Sequence, residues 1–167
     1  ARGSDMKIDE LDVRIVQLFS EDSGIGVLAA SRALGVARPT VQSRLDKLKA
    51  AGVIQDVAPT LNPARFGYPV MAIVSIEISQ GVGHVPVGEA LREIPEVIEM
   101  YTVSGDHDVM VRVVARSNDD LQRVIDAIAR TGAVNRTRSV VVLQTHFQNR
   151  VLPLFAQVGG SAAAQEG

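Results

Sequence analysis

The sequence predicts an α+β chain in two parts: three short helices, then a β-α-β-β-α-β run. Three observations predict it. Apolar residues recur at helical spacing as far as Leu48, they alternate with a period of two from Val70 onward, and a stretch marked by Pro59, Pro63 and Pro69 separates the two regimes without following either. The 167 residues, 46% of them hydrophobic, suffice for one ordinary domain or two small ones with packed cores.

The first helix covers Asp9 to Phe19. Leu11, Ile15, Leu18 and Phe19 share one face, and Asp9 with Asp12 three residues on forms a helix start. A glycine-bearing loop over residues 21–26 leads to a second, short helix, in which Val27, Ala30 and Leu34 lie together and Gly35 stops the chain. After a turn of about four residues, Val41, Leu45 and Leu48 repeat at helical spacing from Pro39 to Ala51. Pro39 fits the first turn, where its missing N–H costs little, but Ala37 and Arg38 are poor caps.

Two short helices joined by a tight turn and braced by a third make a helix-turn-helix over residues 7–53. The spacing sharpens it. A small residue, Ser31, sits where the helices cross, Gly35 turns four positions later, and Val41 fills the space between them. Residues 27–50 also carry five basic side chains against one acid, a net of +4, whereas residues 67–155 carry eight arginines against ten acids, a net of −2. This basic island has the charge that a DNA-contacting helix needs, although a solvated helix face would carry the same charges. Arg38, Thr40, Gln42 and Ser43, near the helix start, are the candidates for reading base edges; Arg44, Lys47 and Lys49 are placed nearer phosphates.

Residues 54–69 read as an extended hinge. Beyond it, Val70 to Ile78 is a strand with one very apolar face, Pro86 to Ile94 is helical, and Val97–Ser104 and Val109–Ala115 are strands around the turn Gly105-Asp106-His107-Asp108. Ser117 to Arg130 is a helix opened by Ser117 and Asp120 and closed by Gly132, and Arg138 to Phe147 is a final strand. This order gives a ferredoxin-like sheet over residues 70–155 with both helices on one face. Apolar residues point both ways in Val70–Ile78 and Val140–Leu143, so the other face also needs cover. Self-association supplies it most simply; the N-terminal helices folding back is the alternative. Residues 156–167, rich in Gly, Ala, Ser and Gln, read as a disordered tail.

Composition narrows the function classes. The absence of cysteine excludes disulfides, thiolate zinc sites and cysteine nucleophiles, and a cytoplasmic location is expected. Residues 1–6, up to Met6, read as a cloning scar. His84, His107 and His146 lie far apart, Gly81-x-Gly83 lacks the third glycine of a dinucleotide loop, and Asp106-His107-Asp108 on one tight turn does not converge on an ion. No enzyme, metal or cofactor is therefore expected.

Six stretches together resemble the Lrp/AsnC family, the feast/famine transcription regulators of bacteria and archaea. They are Asp9 to Asp12; Ser31 to Val36 with Val41 to Leu45 and Leu48; Ala51 to Ile54; Leu61 to Pro63; Ser104 to Asp108; and Val134 to Ser139, and the similarity runs from Lys7 to about Leu154. The resemblance implies a winged helix-turn-helix, a hinge, and a C-terminal RAM/ACT-like domain that senses an amino-acid effector, dimerises through its sheet and assembles into octamers. It implies double-stranded DNA as a partner and a nucleoid-associated location; no membrane is expected, because the longest apolar runs, such as Val70–Val74 and Val109–Val111, are far too short for a spanning helix. It also places the effector at Gly105, Asp106, His107 and Asp108, with Tyr101, Thr102, Thr137 and Ser139 beside it on flanking strands. His107 stands where an aromatic or other residue is often found. A glycine that admits close approach, exposed N–H groups for a carboxylate and aspartates for an ammonium suit that loop, although Gly and Asp are also ordinary turn residues. The expected function is sequence-specific, metabolite-responsive transcription regulation. Two alternatives are a nucleoid-organising protein that wraps DNA with little sequence preference and a metabolite-binding regulatory subunit.

Overall fold

Asp9 opens the first helix, α1 (Glu10–Glu21), through a reciprocal cap: its carboxylate accepts from the Asp12 N–H, and that of Asp12 accepts from the Asp9 N–H, both at 3.0 Å. The computed structural model describes residues 7–55 and 58–164, apart from the side chains of 161–164. Residues 1–6, where the cloning scar is expected, and residues 165–167 of the expected tail lie outside the described residues. The chain falls into two units, one formed by the part up to Pro59 together with the part from Phe147, the other by Thr60–His146.

In the first unit, α2 (Val27–Leu34) ends at Gly35 and α3 (Arg38–Ala50) follows three residues later. Ile15, Ala30, Val41 and Leu45 pack between the three helices, one stripe from each. Ser31 is buried at the crossing, where its hydroxyl donates to the Leu28 carbonyl at 2.8 Å. Between α3 and the first strand the described residues contain no further strand, so the wing implied by the resemblance is absent from them. The expected extended hinge is also interrupted, by a 3-10 turn at Pro63–Phe66 that Asn62 caps through the Ala64 N–H at 3.1 Å.

The expected disorder from Ala156 is corrected by α6 (Leu152–Ala164), a helix that packs on α1. Its composition is that of a flexible tail, but Phe155 and Ala156 enter an apolar cluster with Ile8, Val13 and Leu48. Tertiary burial decides the conformation that local composition leaves open.

The second unit is a four-stranded antiparallel sheet in the order β2-β3-β1-β4, built from β1 (Val70–Ile78), β2 (Val97–Thr102), β3 (Val109–Ala115) and β4 (Val134–Val141). On one face Ala72, Val74, Ile76, Val109, Val111 and Val113 are buried under Val87 and Leu91 of α4 (His84–Arg92) and Leu121, Val124 and Ile128 of α5 (Asn118–Ala129). The opposite face carries Met71, Ile73, Met110 and Val140, the last 62% exposed, and a Glu99–Arg112 ion pair.

The last strand differs from its expected span of Arg138–Phe147. Its position is set by its partner: β1 begins at Val70, Ala72 pairs with Val141, and the Val142 N–H to the Met71 carbonyl, 2.9 Å, is the final rung. Past that point Leu143 has no neighbour strand and is 96% exposed. The cluster Val140–Leu143 has high β propensity, but a ladder extends only as far as the strand it pairs with.

Candidate nucleic-acid interface and ligand loop

Helix α3 turns Val41, Leu45 and Leu48 inward. Its outward side presents Arg38, Gln42, Ser43, Lys47 and Lys49 to solvent, with Thr40 half-buried, so six of the seven residues expected to contact DNA are accessible on one helix. No side chain caps its N-terminus, which begins after Ala37, and Pro39 occupies the first turn. Pro39 has no N–H and the Thr40 N–H donates to the Ala37 carbonyl at 3.0 Å, so what the helix start offers a phosphate is mainly the positive end of its dipole. Gln42 donates to Asp46 at 2.9 Å along the surface, a bond that a base edge can replace.

Arg44, the seventh, turns inward. Its guanidinium donates to Asp9 at 2.5 Å and to Asp12 at 3.1 Å, tying α3 to the cap of α1. Asp12 is only 1% exposed, so Arg44 supplies the countercharge that a buried carboxylate requires. Partial burial pushes the Asp9 carboxyl up, but hydrogen bonds from Arg44 and the Asp12 N–H, together with the guanidinium charge, outweigh it and hold the group below its ordinary range. Arg44, expected near phosphates, thus has its guanidinium engaged by the cap of α1, while its side chain keeps 31% exposure. A signal for this exists in the sequence, because Asp12 falls on the stripe Ile8, Ile15, Phe19 and Arg44 on the stripe Val41, Leu48. Two charges on two facing apolar stripes call for each other.

The candidate effector loop, Gly105 to Asp108, joins β2 to β3. Gly105 lies at φ +113°, in the left-handed region, and it is exposed together with Asp106, while His107 and Asp108 are half-buried. Asp108 already has structural work: its carboxylate accepts from the Ile78 N–H at 2.8 Å and its own N–H donates to the Ile76 carbonyl at 3.1 Å. These bonds pin the hairpin to the end of β1, where the pairing with β4 shifts register between Glu77 and Ile78. Asp108→Ala should therefore destabilise the second unit by about 1–3 kcal/mol by leaving that N–H unpaired. Asp108→Asn, which keeps an acceptor, should cost less; equal denaturant midpoints for the two variants would contradict this role.

The flanking residues do not converge in a single chain. Thr102 pairs with Val109, which faces the helices; Thr137 pairs with Ile76 and Ser139 with Val74 on that same face. Thr102 and Thr137 are three strands apart, about 14 Å at the usual strand spacing. Tyr101 pairs with Met110 on the opposite face, and its hydroxyl donates to Glu99 at 2.8 Å, a bond that raises the phenol pKa. Of the residues expected at the effector site, Gly105, Asp106, His107 and Asp108 are contiguous in this chain. Among the described residues no group of three metal-ligating side chains converges, and no helix is long and apolar enough to cross a membrane.

The proteins this chain resembles are named as transcription regulators. The family model of the AsnC-type helix-turn-helix domain matches residues 8–49, and that of the Lrp/AsnC ligand binding domain matches residues 71–152. An uncharacterised HTH-type transcriptional regulator of Pyrococcus furiosus is 32% identical over 146 residues, 83% of this chain and 93% of the relative. The structure of Escherichia coli AsnC superposes with a TM-score of 0.79 at 26% identity, covering 87% of this chain and 99% of that one. The feast or famine regulatory protein of Mycobacterium tuberculosis, complexed with L-methionine, gives 0.75 at 27% identity over 85% and 96%.

Proposed function

The chain belongs to the Lrp/AsnC family of transcription regulators, and from that premise we propose that it binds specific DNA sequences as a homodimer whose affinity is set by an amino acid or a related small metabolite. The observation that carries this reading is α3, whose basic and amide side chains stand clear of the core while Arg44 braces it from within. Arg38, Thr40, Gln42 and Ser43 read bases near the helix start, and Lys47 and Lys49 neutralise phosphates. The sheet face bearing Met71, Ile73, Met110 and Val140 packs on its counterpart in a second subunit, and dimers assemble further. The effector docks at Gly105, Asp106, His107 and Asp108, its carboxylate on loop N–H groups and its ammonium on Asp106. Thr102, Thr137, Ser139 and Tyr101, spread over both faces in one chain, serve such a site only where subunits meet. The relative complexed with L-methionine makes that amino acid the first probe.

An effector shifts DNA occupancy only by binding one arrangement of the paired helix-turn-helix units better than another. No cofactor or metal enters this scheme. The experiment is a binding titration of a duplex selected from a random pool, against scrambled competitor, at several salt concentrations. The expected result is affinity that falls steeply with salt and a preference for the selected duplex of about a thousandfold or more. Equal affinity for both duplexes would favour DNA wrapping without sequence preference, and no binding at any salt would end the reading.

A further inference from the structure

Helix α6 follows the last strand of the second unit yet belongs to the first, so the chain passes between the units twice, after Pro59 and after His146. Its inward face places Phe155 and Ala156 against Ile8 and Val13 near the start of α1 and against Leu48 on α3. Gly159 is the point of closest approach. A Cβ added there would fall 2.3 Å from Val13 Cγ2 and 3.1 Å from the Asp9 carbonyl oxygen, whereas one added at neighbouring Gly160 would meet nothing. Neither obstacle can easily move. Val13 is buried and stiff at its β-branch, and the Asp9 carbonyl accepts the first hydrogen bond of α1, from the Val13 N–H at 3.2 Å. Asp9 is also the residue whose carboxylate holds Arg44.

The helix therefore rests on both supports of α3: the Asp9 cap that grips Arg44, and Leu48 itself. We propose that α6 is a positioning element for the recognition helix: by packing at Gly159 on Val13 and the Asp9 carbonyl it holds the Asp9–Arg44 contact in place, and with it the orientation of α3. This inference rests on the DNA-binding reading of α3.

The test uses the full chain carrying Gly159→Ala, Gly160→Ala, Val13→Ala, or Val13→Ala with Gly159→Ala. Two readouts are taken: affinity for the selected duplex at fixed salt, and titration of the Asp9 carboxyl followed by NMR without DNA. Gly159→Ala is expected to weaken DNA binding about tenfold and to move the Asp9 titration back toward the ordinary carboxylate range as Arg44 loosens. Gly160→Ala should leave both unchanged. Removing Val13 Cγ2 makes room for the methyl group that Gly159→Ala adds, so the double variant should return to the behaviour of Val13→Ala alone. A folded Gly159→Ala protein with wild-type affinity and wild-type Asp9 titration would overturn the proposal. If Gly159→Ala does not fold, the double variant decides: affinity equal to that of Val13→Ala supports the role of α6, and affinity well below it overturns it. Failure of the wild-type chain to bind any duplex would end the DNA-binding reading, while the Asp9 titration would still report whether α6 supports the cap.

Discussion

Arg44→Ala is expected to destabilise the N-terminal unit by about 2–4 kcal/mol, because it leaves the buried Asp12 carboxylate without its countercharge. The range is set below that of a fully buried pair because the Arg44 and Asp9 side chains are 31% and 42% exposed. Arg44→Lys should recover only part of the loss, since one ammonium cannot span two carboxylates as a guanidinium does. Urea unfolding followed in the N-terminal unit measures this, and unchanged stability with weaker DNA binding would return Arg44 to the phosphate backbone. The same cluster sets an acid limit. Asp9 titrates below its ordinary value of 3.8 in the folded chain, so the unfolded chain binds more protons in the interval between the two values. The stabilisation is thus full above about pH 4 and is lost as pH falls through the lowered folded value. Arg44→Ala should flatten that dependence.

Arg38→Ala combined with Gln42→Ala should abolish most of the preference for a selected duplex, on the order of 3 kcal/mol of discrimination, while leaving the unfolding midpoint near that of the wild type. Both side chains are exposed, and folding loses only the surface hydrogen bond from Gln42 to Asp46, which is worth little in water. Lys47→Ala should behave differently: affinity falls for selected and scrambled duplexes alike, and the salt dependence becomes shallower by about one ion. Competition binding at two salt concentrations separates these patterns. Equal losses of preference in both variants would contradict the division of α3 into a reading end and a phosphate end.

Much of this architecture is written locally in the chain. The stripes of α1, α2 and α3, the alternation in β1 and β3, and the cap at Ser117, whose hydroxyl accepts from the Asp120 N–H at 3.1 Å, are each fixed by residues a few positions apart. The features that local pattern leaves open depend on distant partners. The extent of β4 is dictated by where β1 begins, and the order of α6 by the apolar cluster of Ile8, Val13 and Leu48 on which Phe155 and Ala156 pack. The inward turn of Arg44 depends on Asp12, 32 residues away. For the ligand loop, spacing identifies the hairpin but not the duty of each carboxylate. Asp108 is bound to the backbone of β1, thirty positions earlier, which leaves Asp106 as the exposed acid. Tyr101 and Thr102, adjacent in β2, face opposite ways by strand alternation alone, whereas the distance of Thr102 from Thr137 and Ser139 follows from strand order, which no local pattern states.

The most direct measurement is a hydroxyl-radical footprint of the full chain on a selected duplex. Two α3 helices presented by a dimer should protect two patches on one side of the duplex, with centres about 34 Å, one helical turn, or a multiple of it apart, and Arg38→Ala with Gln42→Ala should erase both patches together. A single patch, protection without helical phasing, or a footprint that survives that double substitution would contradict the account.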